Sequence, residues 1–394
     1  MHNLSLRQNL RTVENINRTS PYYFLMETDS SGLNGVKTDK DSPSTKNRDL
    51  VYRLKSIEEI ENLKRMKEEI TNTIYFLKEN FFAKLKGTAG VETEFDDFDT
   101  SLLSGLEQAL KAYSLERCRY YVHRALKSLT SVKTGKINDL NLNRWKSYTD
   151  LITDSLWIVG KRDRSGAHNA SYWGNFIPQI PQQLLKRYTK RNDWVLDAFA
   201  GSGTTLIECQ RTGRNSLGID LSEEALNKAK INLSREQNPY GVEAHLVNAD
   251  STAVSYRDLL AKYGINSIHL AIMHPPYWDI IKFSEDERDL SNAGNVEQFL
   301  QGIRKIAHEI HSVLEEERYL ALVIGDKYSK GEWIPLGFYS MNEVMKEGYR
   351  LKSTIVKNFD VTRGKKSQQE LWRYRALAGG FYVFKHEYIF LFQK

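Results

Sequence analysis

VLDAFAGSGTT, residues 195–205, is the stretch of this 394-residue chain on which the fold turns. Residues 195–199 form a short apolar run that reads as a buried strand. It delivers the chain into Ala200-Gly201-Ser202-Gly203, directly before a helix predicted to start at Thr204. Glycines belong there for two reasons: a tight strand-to-helix turn demands unusual backbone angles, and a ligand can approach backbone that carries no side chain. A second strand closes on Asp220 about twenty residues later, where a carboxylate can accept hydrogen bonds from both ribose hydroxyls. A nucleotide-like ligand is the expectation. The dinucleotide fingerprint G-x-G-x-x-G would need a third glycine at position 206, which is Leu206. A glycine turn without a ligand leaves the coincidence of strand, turn, helix and terminal acid unexplained.

Working outward, short apolar runs alternate with amphipathic stretches from about residue 165, the pattern of an α/β domain with a mostly parallel sheet. Besides 195–199, strands are predicted at 217–220, 244–247, 268–272, 320–324, 351–356 and 388–392, which makes a seven-stranded sheet. Helices are predicted to begin near Thr204, Ser222, Thr252, Asn295 and Leu336, with Asn295 and Gln298 as an N-cap and N3 pair. The α/β domain is placed at residues 161–394. Residues 51–160 read as a mainly helical region. Ile57, Ile60, Leu63, Met66, Ile70, Ile74, Leu77 and Phe81 recur at helical spacing, behind a capping box at Ser56 and Glu59. An acidic link at 92–99 precedes a second helical stretch carrying Leu103, Leu106, Leu110, Cys118, Val122, Ala125 and Leu129. Residues 1–50 are polar with little periodicity and are expected to form a mobile arm.

Composition sets outer limits. With 40% hydrophobic and 27% charged residues the chain can bury one large core and a smaller one. No apolar run approaches the ~20 residues that span a bilayer, and the first residues lack a signal-peptide core, so no membrane association and a cytoplasmic location are expected. Only Cys118 and Cys209 are present, far apart, which argues against a disulfide framework and a cysteine-ligated metal; no metal is expected. A net charge of +6 is compatible with a polyanionic partner and does not require one.

The run 268–272 ends in His274-Pro275-Pro276-Tyr277-Trp278. Two consecutive prolines cannot continue a central strand, so the chain leaves the sheet at its carboxyl edge, where ligands of such folds bind. A lone histidine is more often structural than catalytic; beside Pro-Pro-Tyr, after the fourth strand, the catalytic reading is favoured.

With these residues in view, DAFAGSGTT resembles motif I of the amino-methyltransferases that act on adenine N6 or cytosine N4 of DNA, usually D-x-F-x-G-S-G-T-T. That resemblance implies a Rossmann-like class I methyltransferase domain that uses S-adenosylmethionine. It implies that Asp197, Phe199, Gly201, Ser202 and Gly203 line the methionine end, that Thr204 and Thr205 open the following helix, and that Asp220 takes the ribose. Asp250 falls where the family has an acid near the adenine amine, although a helix N-cap before Thr252 is an alternative reading. GNFIPQIPQQLLKRY, residues 174–188, is similar to motif X, which covers the methionine end, with Phe176 and Gln179 as its carried-over residues. HPPYW is similar to the family's catalytic motif, Asp, Asn or Ser followed by Pro-Pro and an aromatic residue, and departs from it at His274.

The chemistry implied is demanding, because an exocyclic amine has its lone pair delocalised into the base. Hydrogen bonds from its protons to a side chain at His274 and to the Pro275 carbonyl, with Pro276 stiffening the loop, would localise that lone pair toward the methyl donor. The aromatic ring of Tyr277 would stack on the extruded base. A neutral imidazole accepts one hydrogen bond and a protonated one accepts none, so His274 predicts acid-sensitive activity unless the Pro275 carbonyl carries most of the orientation.

The order of motifs leaves no room for a recognition domain between residues 251 and 273. The candidate nucleic-acid face is therefore Trp278 with Arg363, Lys365, Lys366, Arg373 and Arg375, the last five interleaved with Trp372, Tyr374 and Phe381 in the insertion at 358–382. The competing reading is a solvated charge run whose aromatics pack on the core. Residues 281–291 are either a flap over the site or a polar loop. Specificity beyond this is expected from the helical region, from a second copy in a homodimer, or from a specificity subunit. DNA is the expected substrate and a restriction-modification or defence system the expected setting. RNA methylation, for instance at guanine N2, is the alternative enzyme, and a non-catalytic nucleic-acid-binding subunit the alternative class.

Overall fold

The computed structural model describes residues 45–87, 97–168, 174–359 and 369–394. Residues 1–44 of the polar arm, most of the acidic link, and Arg363, Lys365 and Lys366 lie outside the described residues. Residues 49–394 form one compact unit.

The apolar runs become strands with period-two burial. Along β2 (Trp194–Asp197), Val195 faces one core and Leu196 the other. Along β5 (Ile268–Met273), Leu270 and Ile272 face the first of these cores, and Ala271 and Met273 the second. The same alternation runs through β6 (Leu314–Ile324) and β10 (His386–Gln393). Strands buried on both faces require cover on both sides. On one side α8 (Tyr256–Lys262), α9 (Val296–Val313) and α10 (Leu336–Lys346) pack. On the other lie α5 (Gln179–Tyr188), α6 (Thr204–Thr212) and α7 (Glu223–Arg235). The result is a three-layer sandwich.

All seven predicted strands are present, completed by β3 (Asn215–Asp220), β4 (Ala244–Asn248) and β9 (Arg350–Asn358). The sheet has eight strands, in the order β1-β9-β10-β6-β5-β2-β3-β4. The extra one, β1 (Leu156–Trp157), is two residues long and pairs in parallel with the end of β9, too short to produce a periodic signal. Only β10 is antiparallel to its neighbours, β6 and β9. A separate hairpin, β7 (Lys327–Ser329) with β8 (Glu332–Ile334), follows β6.

Helix starts follow side-chain chemistry. Ser222 accepts from the Ala225 N–H to open α7, and Asn295 accepts from the Gln298 N–H to open α9, as predicted. Near Thr252 the helix starts later, at Tyr256, because Ser255 rather than the Asp250 turn supplies the cap.

The N-terminal region differs from the prediction in its breaks. The single periodic face is split into α1 (Thr45–Glu58) and α2 (Leu63–Gly87). Ser56 is not a cap: its hydroxyl donates to the Tyr52 carbonyl inside α1, and Asn62 caps α2 by accepting from the Arg65 N–H. The second stretch is likewise two helices, α3 (Asp97–Leu110) and α4 (Leu115–Thr130), the latter capped by Ser114. Their apolar faces share one core around Leu54, Met66, Ile70, Leu106 and Val122. The following segment ties this core to the sheet's amino edge, where Asn138 donates to the Arg187 carbonyl and Asp139 pairs with Arg214. No helix among the described residues is long and apolar enough to cross a membrane.

Candidate active site

The strand order reverses between β2 and β5: from β2 the chain builds outward through β3 and β4, and from β5 the other way through β6. Ligands of open α/β sheets bind in the crevice at the carboxyl ends of the strands at such a point. The two strands are direct parallel neighbours, with Asp197 opposite Ile272 and the Ala198 N–H donating to the Ile272 carbonyl. The glycine loop after β2 and the His-Pro-Pro-Tyr loop after β5 therefore leave the sheet side by side.

In the glycine loop, Gly201 has φ +52° and Gly203 φ +87°, the left-handed region that L side chains rarely adopt. Gly203 also packs tightly on α7, where an added Cβ would lie 3.1 Å from the Ala229 Cβ. Asp220 organises the loop: one carboxylate oxygen accepts from the Gly201 N–H at 2.7 Å and the other from the Ser222 N–H at 2.8 Å. Each oxygen keeps a lone pair for a further donor. Burial pushes its carboxyl up, against the pull of those two N–H groups. Asp197 is almost fully buried; its Oδ1 accepts from the Phe199 N–H at 2.9 Å, and its Oδ2 has no well-formed hydrogen bond among the described residues. Burial pushes the Asp197 carboxyl up to about 6, opposed by the Thr205 hydroxyl and the Phe199 N–H and reinforced by Asp220. That oxygen is closed to solvent and the Thr205 hydroxyl is set against it, so a cationic ligand group such as an α-ammonium would act on Asp197 through its charge. Thr204 is buried at the first turn of α6. Asp250 holds a turn instead of capping a helix, since its Oδ1 accepts from both the N–H and the hydroxyl of Thr252.

A cation bound beside Asp197 would lower its pKa, so binding must expel the proton that the free protein holds there below about pH 6. Titration calorimetry with S-adenosylmethionine in buffers of different ionisation enthalpy should register release of up to about half a proton at pH 6, vanishing by about pH 8. No proton release at pH 6 would contradict this placement of the cation.

In the second loop, His274 is sandwiched. Its ring stacks on Phe176 at a centroid distance of 4.8 Å, and Tyr277 meets it edge-on at 5.8 Å. Pro275 is buried and Pro276 half-buried. Burial pulls the His274 pKa down from 6.5 to about 4, with Glu387 raising it and Lys357 lowering it. The imidazole is thus neutral and able to accept at neutral pH, and the acid sensitivity expected from the sequence moves well below the ordinary histidine range. Between about pH 4 and 6.5 the unfolded chain binds the proton more readily than the folded one. The stability contributed by neutral His274 is complete above 6.5 and is lost as the pH falls toward 4. The Tyr277 hydroxyl donates to Glu387 at 2.7 Å and lies 3.5 Å from His274 Nε2. Its ring packs on Gly325, where an added Cβ would come within 2.8 Å of Cε2.

The segment before α5 joins the two loops. Asn175 donates to the Ser202 hydroxyl at 2.6 Å while its neighbour Phe176 covers His274. Asn232 of α7 holds Ser202 from the other side, donating to its carbonyl at 3.0 Å. Gln179 is turned away from the site and brackets the 161–163 loop, donating to the Lys161 carbonyl and accepting from the Asp163 N–H.

Trp278, expected to meet a nucleic acid, is engaged within the protein. Its indole N–H donates to the Ala293 carbonyl, and Lys327 sits over its ring with Nζ 3.8 Å from the centroid while pairing with Asp279. Arg373 and Arg375 lie exposed on α11 (Gln369–Gly379), with Tyr374 and Leu377 also exposed. The chain after α11 returns along the hairpin, where Phe381 stacks on Tyr328 and Phe384 tilts against Trp333. The 281–291 loop is ordered by its own polar groups: Asp289 bonds Ser284 and Ser291, and Asn292 bonds the Ser284 and Asp286 carbonyls.

Sequence reasoning missed Asn175, Asn232, Glu387 and Lys357. The last two carried a signal, since each is a charge directly flanking a predicted strand, after 351–356 and before 388–392. They are cross-strand neighbours on β9 and β10 and form a buried ion pair at 3.0 Å.

Comparison with known proteins supplies a framework for this geometry. A family model described as DNA methylase matches residues 55–231 and 268–394, well over half of the chain. Type II methyltransferase M.MjaII of Methanocaldococcus jannaschii is 44% identical over 64 residues, covering 16% of this chain and 12% of that protein. Type II methyltransferase M2.LlaDCHI of Lactococcus lactis subsp. cremoris is 31% identical over 125 residues, 30% of this chain and 45% of that protein. Type II methyltransferase M2.DpnII of Streptococcus pneumoniae is 34% identical over 126 residues, 30% of this chain and 46% of that protein. The similarity thus spans less than half the length of each of these relatives.

Proposed function

Since this chain belongs to the DNA methylase family, we propose that it transfers a methyl group from S-adenosylmethionine to the exocyclic amine of adenine (N6) or cytosine (N4) in DNA. The observation that carries the reading is the adjacency of β2 and β5, which sets a nucleotide-type glycine loop beside a rigid Pro-Pro loop bearing a neutral acceptor.

Bound S-adenosylmethionine supplies an electrophilic methyl group on a sulfonium. Asp197, Phe199, Gly201, Ser202, Gly203 and Thr204 would hold its methionine end, the charge of the Asp197 carboxylate favouring the ammonium; Asp220 would hold the ribose and Asp250 the adenine. The protein's own part is positioning. His274 and the Pro275 carbonyl accept hydrogen bonds from the two amine N–H groups, Pro275 and Pro276 keep the loop stiff, and the proton the amine sheds as the new N–C bond forms passes to solvent. Flipping of the target base belongs to the same proposal, because the amine cannot reach a crevice of this kind from within a duplex. A cytoplasmic location and a restriction-modification or defence setting complete it; the type II methyltransferases among the relatives support that setting.

For duplex binding the reading relies on α11. Charge reversal at Arg373 and Arg375 is expected to weaken duplex binding and to flatten the dependence of log K on log salt by roughly 0.9 for each phosphate no longer neutralised. An unchanged slope would remove α11 from the interface. The test of the reading itself is sequencing of DNA from a host expressing the protein, with modification scored at single-base resolution. A methylated adenine or cytosine at a fixed motif is expected; unmodified DNA alongside methylated RNA from the same cells would overturn it.

A further inference from the structure

We propose that Glu387 is a positioning residue that, through Tyr277, holds His274 in the tautomer protonated at Nε2, leaving Nδ1 as the open acceptor of the site. This deepens the methyl-transfer reading and rests on it for the use made of Nδ1.

The chain of donors fixes the direction. A tyrosine hydroxyl has one proton, and that of Tyr277 points to Glu387 Oε2 at 2.7 Å. A carboxylate accepts and cannot donate, so the Tyr277 proton is committed to it. Facing His274, the Tyr277 oxygen is left only as an acceptor, and the nitrogen it faces, at 3.5 Å, is Nε2. The imidazole proton is therefore placed on Nε2. A neutral imidazole has one N–H, so Nδ1 carries a bare lone pair. Nδ1 has no hydrogen-bond partner among the described residues and is not sealed off from a ligand.

The surroundings are built to keep this arrangement. Phe176 fixes the plane of the His274 ring, and Gly325 leaves the space that the Tyr277 ring occupies. Lys357 pairs with the other oxygen of Glu387 at 3.0 Å, the two side chains being 5% and 6% exposed. A buried ion pair is weak evidence for stability, because the desolvation of two charges offsets most of their attraction. Here it has a positional use: it holds one Glu387 oxygen, so that the other faces the Tyr277 hydroxyl. Among the described residues, the charges that act on the ring are Glu387 and Lys357, and both belong to this chain of contacts.

The experiment is nitrogen NMR on the full chain labelled at histidine, which reads the tautomer of His274 without reference to activity, joined to turnover on duplex DNA. Wild-type protein is expected to give the Nε2-protonated pattern at pH 7. Tyr277→Phe, which leaves the Lys357–Glu387 pair intact, and Glu387→Gln should each give a tautomer mixture. Both should lower kcat on the order of tenfold to a hundredfold, the range seen when outer partners orienting a ligand histidine are removed, with the KM for S-adenosylmethionine unchanged. The double variant should be no worse than the more impaired single one, since both act through one path. An Nδ1-protonated wild type, or a tautomer unmoved by either variant, would overturn the inference. Nε2 protonation in a protein that methylates no DNA base would leave the inference standing and overturn the reading it rests on.

Discussion

A His274→Phe protein should fold, bind S-adenosylmethionine with wild-type affinity, and lose methyl transfer by two to three orders of magnitude. The substitution keeps an aromatic ring between Phe176 and Tyr277, so the stacking at 4.8 Å and the edge-on packing at 5.8 Å survive. What it removes is the acceptor. Loss of one preorganised hydrogen-bond group at a reacting centre costs on the order of 10²–10³ in rate, or about 2.7–4 kcal/mol. Single-turnover rates on duplex DNA, beside calorimetric cofactor affinity, separate the two effects. If rate survives within about threefold, the Pro275 carbonyl alone orients the amine and His274 serves as packing. The companion His274→Asp variant restores an acceptor of the type usual at this position in the family, and recovery of activity there would show that the site tolerates either chemistry.

The second large effect is expected at Asp220, and it should appear in binding and stability together. Its two oxygens hold the Gly201 and Ser222 N–H groups at 2.7 and 2.8 Å. Hydrogen bonds to a charged group contribute about 1.5–3 kcal/mol each, and the deleted carboxylate leaves both donors unpaired. Asp220→Ala should therefore lower cofactor affinity by at least about a hundredfold and destabilise the free protein by about 2–4 kcal/mol. Asp220→Asn keeps one acceptor oxygen but turns its NH2 toward the other N–H group, and should fall between. Thermal unfolding with and without cofactor distinguishes a collapsed loop from a missing bond to the ligand. An alanine variant with wild-type affinity would mean that Asp220 shapes no part of the cofactor site.

These two residues also mark how far the sequence could be read. Asp220 was legible because strand, glycine turn and terminal acid are all local signals with fixed spacing, and local signals survive in one dimension. The seven long strands were legible for the same reason, and β1 was not, since two residues carry no period. The helical region was read as too continuous: its apolar period runs through the breaks at residues 59–62 and 111–114, and only the caps Asn62 and Ser114 reveal them. His274 was legible as a departure, but its tuning was not. Its low pKa comes from burial, Phe176 stacking on the ring from 98 residues earlier, and is set against Glu387 on β10, which raises it, while Lys357 on β9 lowers it. Trp278 was placed on the nucleic-acid face, and the sequence holds no sign that Lys327 covers its ring.

The antiparallel strand β10, laid between β6 and β9, sets a constraint on the order in which this protein becomes competent. The glycine loop needs only β2, β3 and the helices between them, all complete by about residue 235. The tether of the Pro-Pro loop needs Glu387, on a strand made some 110 residues after Tyr277 and inserted between two neighbours already synthesised. Synthesis runs from the amino end at roughly 5–20 residues per second, so the residues that shape the nucleotide loop are made well before the strand that tethers Tyr277. The sheet's own strand order thereby sets the residues of the loop and of the tether at opposite ends of the domain's synthesis.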